Sequence, residues 1–348
     1  AAPAALAAPA YAQGKRKLQM VMSWPHNFPG LASMAYQFSE YVEQMTDGDL
    51  SVDVAAAGEL VASFEVYDAV GSGAADCLHS TPVYLTGSWQ PAAFFSQIPF
   101  GLTALEHMAW MYHGGGQDLQ QKAFRDLVGV VPFTCGQTGI QMGGWFNKEI
   151  NTADDLKGLK MRIPGLGGDV MAKLGASPVS LPGGQIYENL VSGAIDATEW
   201  VGPWNDQVMK FYEAAKFYYY PGMHEPGSML ALGMNASFWG KLSKSDQMMI
   251  EAAAAMENDV MMSEYNAKNG SSLADLINNN GVELREFSDE IYDSFGTAAD
   301  EVFGEVVAHS DLAARIHNSF LKARSEVGGW TNISDQAYVA QRNRVLGL

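Results

Sequence analysis

The chain is short of cysteine and of positive charge. Cys77 and Cys135 are its only two cysteines in 348 residues, too few for a disulfide framework. An exported chain could pair them, but each lies in an apolar, strand-like context that suits a buried free thiol, and we expect them unpaired. Lysine and arginine number 21 against 39 aspartates and glutamates, a net charge of -18. That balance argues against nucleic acid and anionic membranes as partners, and it also serves solubility. No run reaches the ~18 apolar residues of a membrane span. No G-x-S-x-G, P-loop or H-E-x-x-H occurs, and no nucleophile–base pair is visible, so an enzyme is the disfavoured reading. His113-Gly114-Gly115-Gly116 reads as a helix end, and Gly165-Leu166-Gly167-Gly168 lacks the spacing of a dinucleotide loop.

The length suits two lobes better than one core. A repeat supports this. Val66-Tyr67-Asp68-Ala69-Val70-Gly71-Ser72-Gly73-Ala74-Ala75-Asp76 aligns without a gap on Ile186-Tyr187-Glu188-Asn189-Leu190-Val191-Ser192-Gly193-Ala194-Ile195-Asp196. One supersecondary unit thus occurs twice, which predicts two similar α/β lobes with a cleft between them. Residues 1–12 are rich in Ala and Pro, and Ala10-Tyr11-Ala12 has the small-x-small form of a signal-peptidase site. They read as the tail of a leader cleaved near Ala12, with an ordinary linker as the alternative. Export to the periplasm is the expectation.

Hydrophobic spacing predicts strands at 17–23, 50–55, 76–79, 130–134, 143–146, 217–220, 230–235 and 282–287. It predicts helices at 31–45, 103–113, 117–127, 204–215, 243–269, 291–307, 311–328 and 337–346. Strands alternating with helices predict parallel sheets in both lobes.

Arg162 ends a short apolar strand at the break Ile163-Pro164-Gly165. Its planar fork of donors suits a carboxylate, and a strand end at such a break suits a cleft. The alternative is a surface arginine paired with Asp154 or Asp155. Trp24, Phe28, Tyr84, Trp200 and Trp204 follow strand ends or sit in turns, where aromatic walls shape small pockets. Trp24 and Trp200 are the stronger choices among them.

The runs L-K-G-L-K-M-R-I-P and S-G-A-I-D-A-T-E-W, with the Trp-Pro turn after the first strand, resemble the substrate-binding proteins of tripartite ATP-independent periplasmic (TRAP) transporters from about Lys17 to the C-terminus. G-I-Q-M-G-G-W-F, E-W-V-G-P-W-N-D and H-E-P-G resemble the branch that binds small 2-oxo and 2-hydroxy monocarboxylates, such as pyruvate or lactate, with a metal ion. The resemblance implies an α/β, two-lobed periplasmic binding protein fold with crossing hinge segments and a long connecting helix. It implies lobe I at 15–139 plus 226–270, lobe II at 140–225 plus 271–290 and a C-terminal helical segment at 291–348, after a leader remnant or linker at 1–14. By motif position it implies that Arg162 pairs with the ligand carboxylate. Gln141, Glu199, Trp200 and Glu225 would line the metal, Ca or Na; such oxygen donors suit a hard cation, Ca²⁺, Na⁺ or Mg²⁺, and not zinc, with ordinary burial or capping the alternative for the two acids. Trp24 and Tyr84, from their own places after strands, would complete the ligand pocket. The partners implied are a small organic carboxylate and the TRAP membrane permease subunits. Some members of the branch dimerise through a C-terminal helix, so a homodimer through the C-terminal helices is an expectation, for which Phe295, Val302, Phe303, Val306, Leu312, Ile316, Phe320 and Leu321 supply an apolar surplus; the alternative is that these residues brace the back of both lobes. Alternatives are an aromatic, sugar-acid or sulfonate ligand on the same fold, or a sensing module for a membrane receptor.

Overall fold

The computed structural model describes residues 15–348; the expected cleavage near Ala12 lies outside them. The chain begins β1 (Arg16–Met22), α1 (Leu31–Met45), β2 (Leu50–Ala55), α2 (Val66–Ser72), β3 (Cys77–Ser80). After two 3₁₀ turns come α3 (Ala104–His113), α4 (Gly116–Val128) and β4 (Val130–Gln137). The chain then crosses over and builds β5 (Gly144–Phe146), β6 (Lys160–Arg162), α5 (Gly165–Lys173), β7 (Ser177–Val179), α6 (Gly183–Val191), β8 (Ala197–Thr198), α7 (Pro203–Val208) and β9 (Phe217–Tyr220). It returns as β10 (Met229–Asn235), followed by the short α8 (Ala236–Trp239) and the 37-residue α9 (Lys244–Asn280). β11 (Glu283–Glu286), α10 (Asp289–Ala308), α11 (Asp311–Thr331) and α12 (Ala337–Leu346) complete it.

Two sheets result, in the orders β2-β1-β3-β10-β4 and β11-β9-β5-β8-β6-β7. They are mixed, which corrects the all-parallel expectation. β10 runs antiparallel to both β3 and β4, and β5 antiparallel to β8 and β9. The reason is the crossover: β5 and β10 each enter their sheet directly from the other one, from the opposite end, with no helix to turn them round.

The internal repeat is a repeat of structure. In each half the first strand pairs in parallel with the next two, β1 with β2 and β3, β6 with β7 and β8. Gly73 and Gly193, aligned in sequence, both end a helix in the left-handed region (φ 82° and 73°), where only glycine escapes steric cost. The aspartates three residues later do one job. Asp76 brackets Gln19, accepting from its N–H at 2.8 Å and donating to its carbonyl at 3.0 Å. Asp196 does the same to Lys160 at 3.0 and 2.7 Å.

Three further expectations change. The helix expected at 204–215 breaks at Lys210, which takes a positive φ of 58°, into α7 and a 3₁₀ turn. The long helix runs on through Gly270-Ser271-Ser272, because Leu276 beyond them is buried, and stops at left-handed Gly281. The apolar surplus of the C-terminal helices is spent inside the chain. Phe295, Val302, Phe303, Val306, Ile316 and Phe320 are all buried in one core with Phe94, Phe95 and Ile98. The exposed apolar residues lie further on, at Trp330, Ile333, Tyr338, Val345 and Leu346, and nothing in α12 is buried. Cys77 and Cys135 are both buried and free, on strands separated by β10. No helix of the described residues is long and apolar enough to cross a membrane.

Candidate functional site

The parallel strands of both sheets bring their carboxyl ends to one cleft, the usual ligand position of open α/β sheets. Trp24 follows β1, Tyr84 follows β3, Arg162 ends β6, and Glu199 and Trp200 follow β8. The two crossing segments lie side by side across the cleft. The Gln141 N–H donates to the Glu225 carbonyl at 3.0 Å, the Gly222 N–H to the Gln141 carbonyl at 3.2 Å, and the Thr138 N–H to the Ser228 carbonyl at 3.1 Å. Gln141 and Glu225 therefore come from the hinge itself. All seven side chains line one narrow cavity of about 30 Å³, with Leu31, Val83, Gln97, Thr138 and Ser228 among the other walls. Phe28 and Trp204 are not in that lining. Phe28 instead packs edge-on against Trp200 with ring centres 6.0 Å apart. The lobes touch over the cavity: a Cβ on left-handed Gly165 would collide with Val83.

Arg162 is 1% exposed. Its Nε donates to the Leu181 carbonyl at 3.1 Å, and Nη1 pairs with Glu199 Oε1 and donates to the Glu199 carbonyl at 3.3 Å. The guanidinium lies 5.2 Å from the Trp200 ring centre, within cation–π range. Asp154 pairs with Lys157 at 2.7 Å, and Asp155 accepts from the N–H groups of Asn151 and Thr152. Neither acid holds the arginine. Arg162 Nη2, Gln141 Oε1 and Trp200 Nε1 are buried with no hydrogen-bond partner among the described residues. Burying such groups unpaired is costly, and all three residues border the cavity.

Sequence reasoning missed His224. Its Nε2 lies 3.3 Å from Glu199 Oε2. Burial works against its charge, but the hydrogen bond and charge of Glu199 outweigh it and raise its pKa. Its place beside Glu225 in H-E-P-G was the available signal. Burial, and next the neighbouring Glu199, pushes the Glu225 carboxyl up to about 7. Burial pushes the Tyr84 phenol up to about 12. One ligand atom each from Glu199, His224 and Glu225 lie within 4.8 Å of one another. Two buried carboxylates repelling one another beside an unpartnered amide oxygen form a donor set that fits a hard cation.

Residues 20–310 match the bacterial extracellular solute-binding protein family 7. The chain belongs to that family. It is a solute-binding protein of the TRAP kind, and its family is one of periplasmic receptors. It is 39% identical over 320 residues to the monocarboxylate 2-oxoacid-binding periplasmic protein of a Nostoc strain, covering 92% of this chain and 87% of that one. A TRAP solute-binding protein from Pseudoalteromonas atlantica, solved with sodium and pyruvate, superposes with a TM-score of 0.90 at 37% identity, covering 94% of this chain and 99% of that one. One from Bordetella bronchiseptica gives a TM-score of 0.93 at 32% identity, covering 96% and 99%. It is described as a mixed-occupancy dimer with calcium and picolinate in one site and the other site apo.

Proposed function

We propose that this receptor captures a small 2-oxo or 2-hydroxy monocarboxylate, pyruvate- or lactate-like, together with Ca²⁺ or Na⁺, and hands it unchanged to a membrane permease. The observation that carries the reading is the unpartnered pair at the cavity wall: one arginine N–H group and one amide oxygen, next to two buried acids. A carboxylate answers the first, and a cation answers the second together with the acids. A cation also lets an anionic ligand enter a cleft that already holds Glu199 and Glu225. Arg162 takes the carboxylate. Gln141, Glu199 and Glu225 hold the cation, with Trp200 against them, and His224 steadies Glu199. Trp24 and Tyr84 bound the ligand's apolar end.

Pyruvate and picolinate, the ligands of two relatives, share one chemistry: a carboxylate beside a second donor atom at the 2-position. Both can close a five-membered chelate on a cation, and the ligand class is defined by that feature. Calorimetry with pyruvate, lactate and picolinate, each with and without a chelator, tests the reading. Metal-dependent binding of pyruvate or lactate is the expected result. Binding of none of the three in either ion refutes it.

The moving bodies in this reading are residues 15–139 with 226–270 and residues 140–225 with 271–290, closing about the crossing segments. A second copy of the chain covers the apolar face at Trp330, Ile333, Tyr338, Val345 and Leu346. The Bordetella relative is a dimer, and these side chains are exposed here.

A further inference from the structure

Behind the cavity stands a buried histidine that the binding reading leaves without a task. His79, in β3, has no exposed surface. Its Nδ1 accepts a hydrogen bond from the Trp24 indole N–H at 2.8 Å. Its Nε2 lies 2.8 Å from the Cys135 carbonyl on β4. An indole nitrogen only donates and a carbonyl only accepts, so one ionisation state satisfies both: the neutral ring with its proton on Nε2. Burial lowers the pKa of His79 to about 4, against a smaller opposing effect of the Cys135 bond, in line with that neutral ring.

The internal repeat sharpens the point. Carried three residues further, the alignment of Asp76 with Asp196 sets His79 opposite Glu199. In one lobe this position holds the acid that meets Arg162. In the other it holds a ring that meets Trp24. Trp24 is itself gripped on other sides. Its carbonyl accepts from the Ala57 N–H at 3.0 Å, and its ring leans on Tyr84 with centres 6.0 Å apart. Tyr84 in turn lies against Phe64 at 4.6 Å.

We propose that His79 is a positioning residue that locks the Trp24 indole as a rigid wall of the cavity and so sets the largest side chain the ligand can carry. The proposal rests on the cavity being the ligand site. Without His79 the indole N–H loses its acceptor, and the ring is no longer held in place and can be pushed out of the cavity. The wall then yields to longer ligands.

The test compares pyruvate with the branched 2-oxo acid 4-methyl-2-oxopentanoate in wild type, His79→Leu and His79→Asn. Wild type should prefer pyruvate, and His79→Leu should narrow the ratio by roughly tenfold or more, the scale of one or two methylenes in a pocket. His79→Asn returns an acceptor near the Nδ1 position and should restore most of the preference. In ¹⁵N spectra the Trp24 indole resonance, assigned through Trp24→Phe, should shift and broaden in His79→Leu but not in His79→Asn. An unchanged ratio, or an unmoved indole resonance, in folded His79→Leu overturns the proposal. If that variant does not fold, wild type still decides: the ¹⁵N shifts of His79 must report a neutral Nε2–H ring from about pH 5 to pH 9. An Nδ1–H tautomer, or a titration in that window, refutes the lock. Wild type that binds neither acid fails the ligand reading, while the indole and imidazole resonances still judge the lock by themselves.

Discussion

Replacing Arg162 with alanine is the sharpest test of the site. The side chain is buried, one face is taken by Glu199 and the Leu181 carbonyl, and Nη2 has no partner among the described residues. If a ligand carboxylate completes the arginine, its loss leaves that carboxylate in a dry cleft with only the shared metal ion to offset its charge. Breaking a buried pair from one side costs ~3–5 kcal/mol. At about 1.4 kcal/mol per decade, the dissociation constant rises by roughly two to three and a half orders of magnitude. The complication is Glu199, which also loses its partner, so part of any loss could come from a disturbed site. Changing the ligand as well as the protein separates the two. Pyruvamide keeps the 2-oxo group and replaces the carboxylate by a neutral amide. Calorimetry at saturating calcium should show wild type strongly preferring the acid, and Arg162→Ala should reduce that preference to within about tenfold, the coupling that a double-mutant cycle isolates. A folded variant that discriminates acid from amide as well as wild type does would refute the assignment.

Glu199→Gln should lower both bound calcium and affinity for pyruvate, since hard cations follow ligand charge. Elemental analysis together with calorimetry in chelator checks this, and unchanged binding in chelator and in sodium-free buffer contradicts it. Glu257, on α9, is buried with neither carboxylate oxygen bonded among the described residues. Burial, and next Glu264, pushes its pKa up to about 8. The folded state therefore keeps a proton that the unfolded state releases, and stability falls as pH rises from the ordinary carboxylate range through about 8. Glu257→Gln should raise Tm at alkaline pH and leave it nearly unchanged at pH ~5; equal shifts at both would show that the carboxyl is not held protonated. Light scattering should give twice 37.6 kDa for the full chain, and deletion of residues 332–348 should return the single mass. A full-length monomer at micromolar concentration rules out the subunit contact.

Periodicity located most of the longer elements, because apolar spacing of 3.6 or 2 is a local property that each helix or strand must satisfy to bury one face. The repeated helix and its aspartate also announced two lobes, since the same turn glycine and the same bracket on the neighbouring strand are needed in each. Arg162 was visible as a lone arginine at a strand end. The resemblance carried Gln141, Glu199 and Glu225 as residue types in motifs, and the fold brings them to one cavity with Trp24, Tyr84 and Trp200. The direction of β5 and β10 was not legible, because strand polarity depends on which end of a sheet the chain enters after crossing between lobes. Nor was the destination of Phe295 and Phe320. A surplus of apolar residues looks the same whether a core or a partner covers it, and only packing against Phe94 and Phe95 distinguishes them. His224 and His79 stayed silent for a related reason. A histidine's role is decided by what faces its two nitrogens, and those partners, Glu199 for one and Trp24 with the Cys135 carbonyl for the other, are brought there from distant strands by the fold.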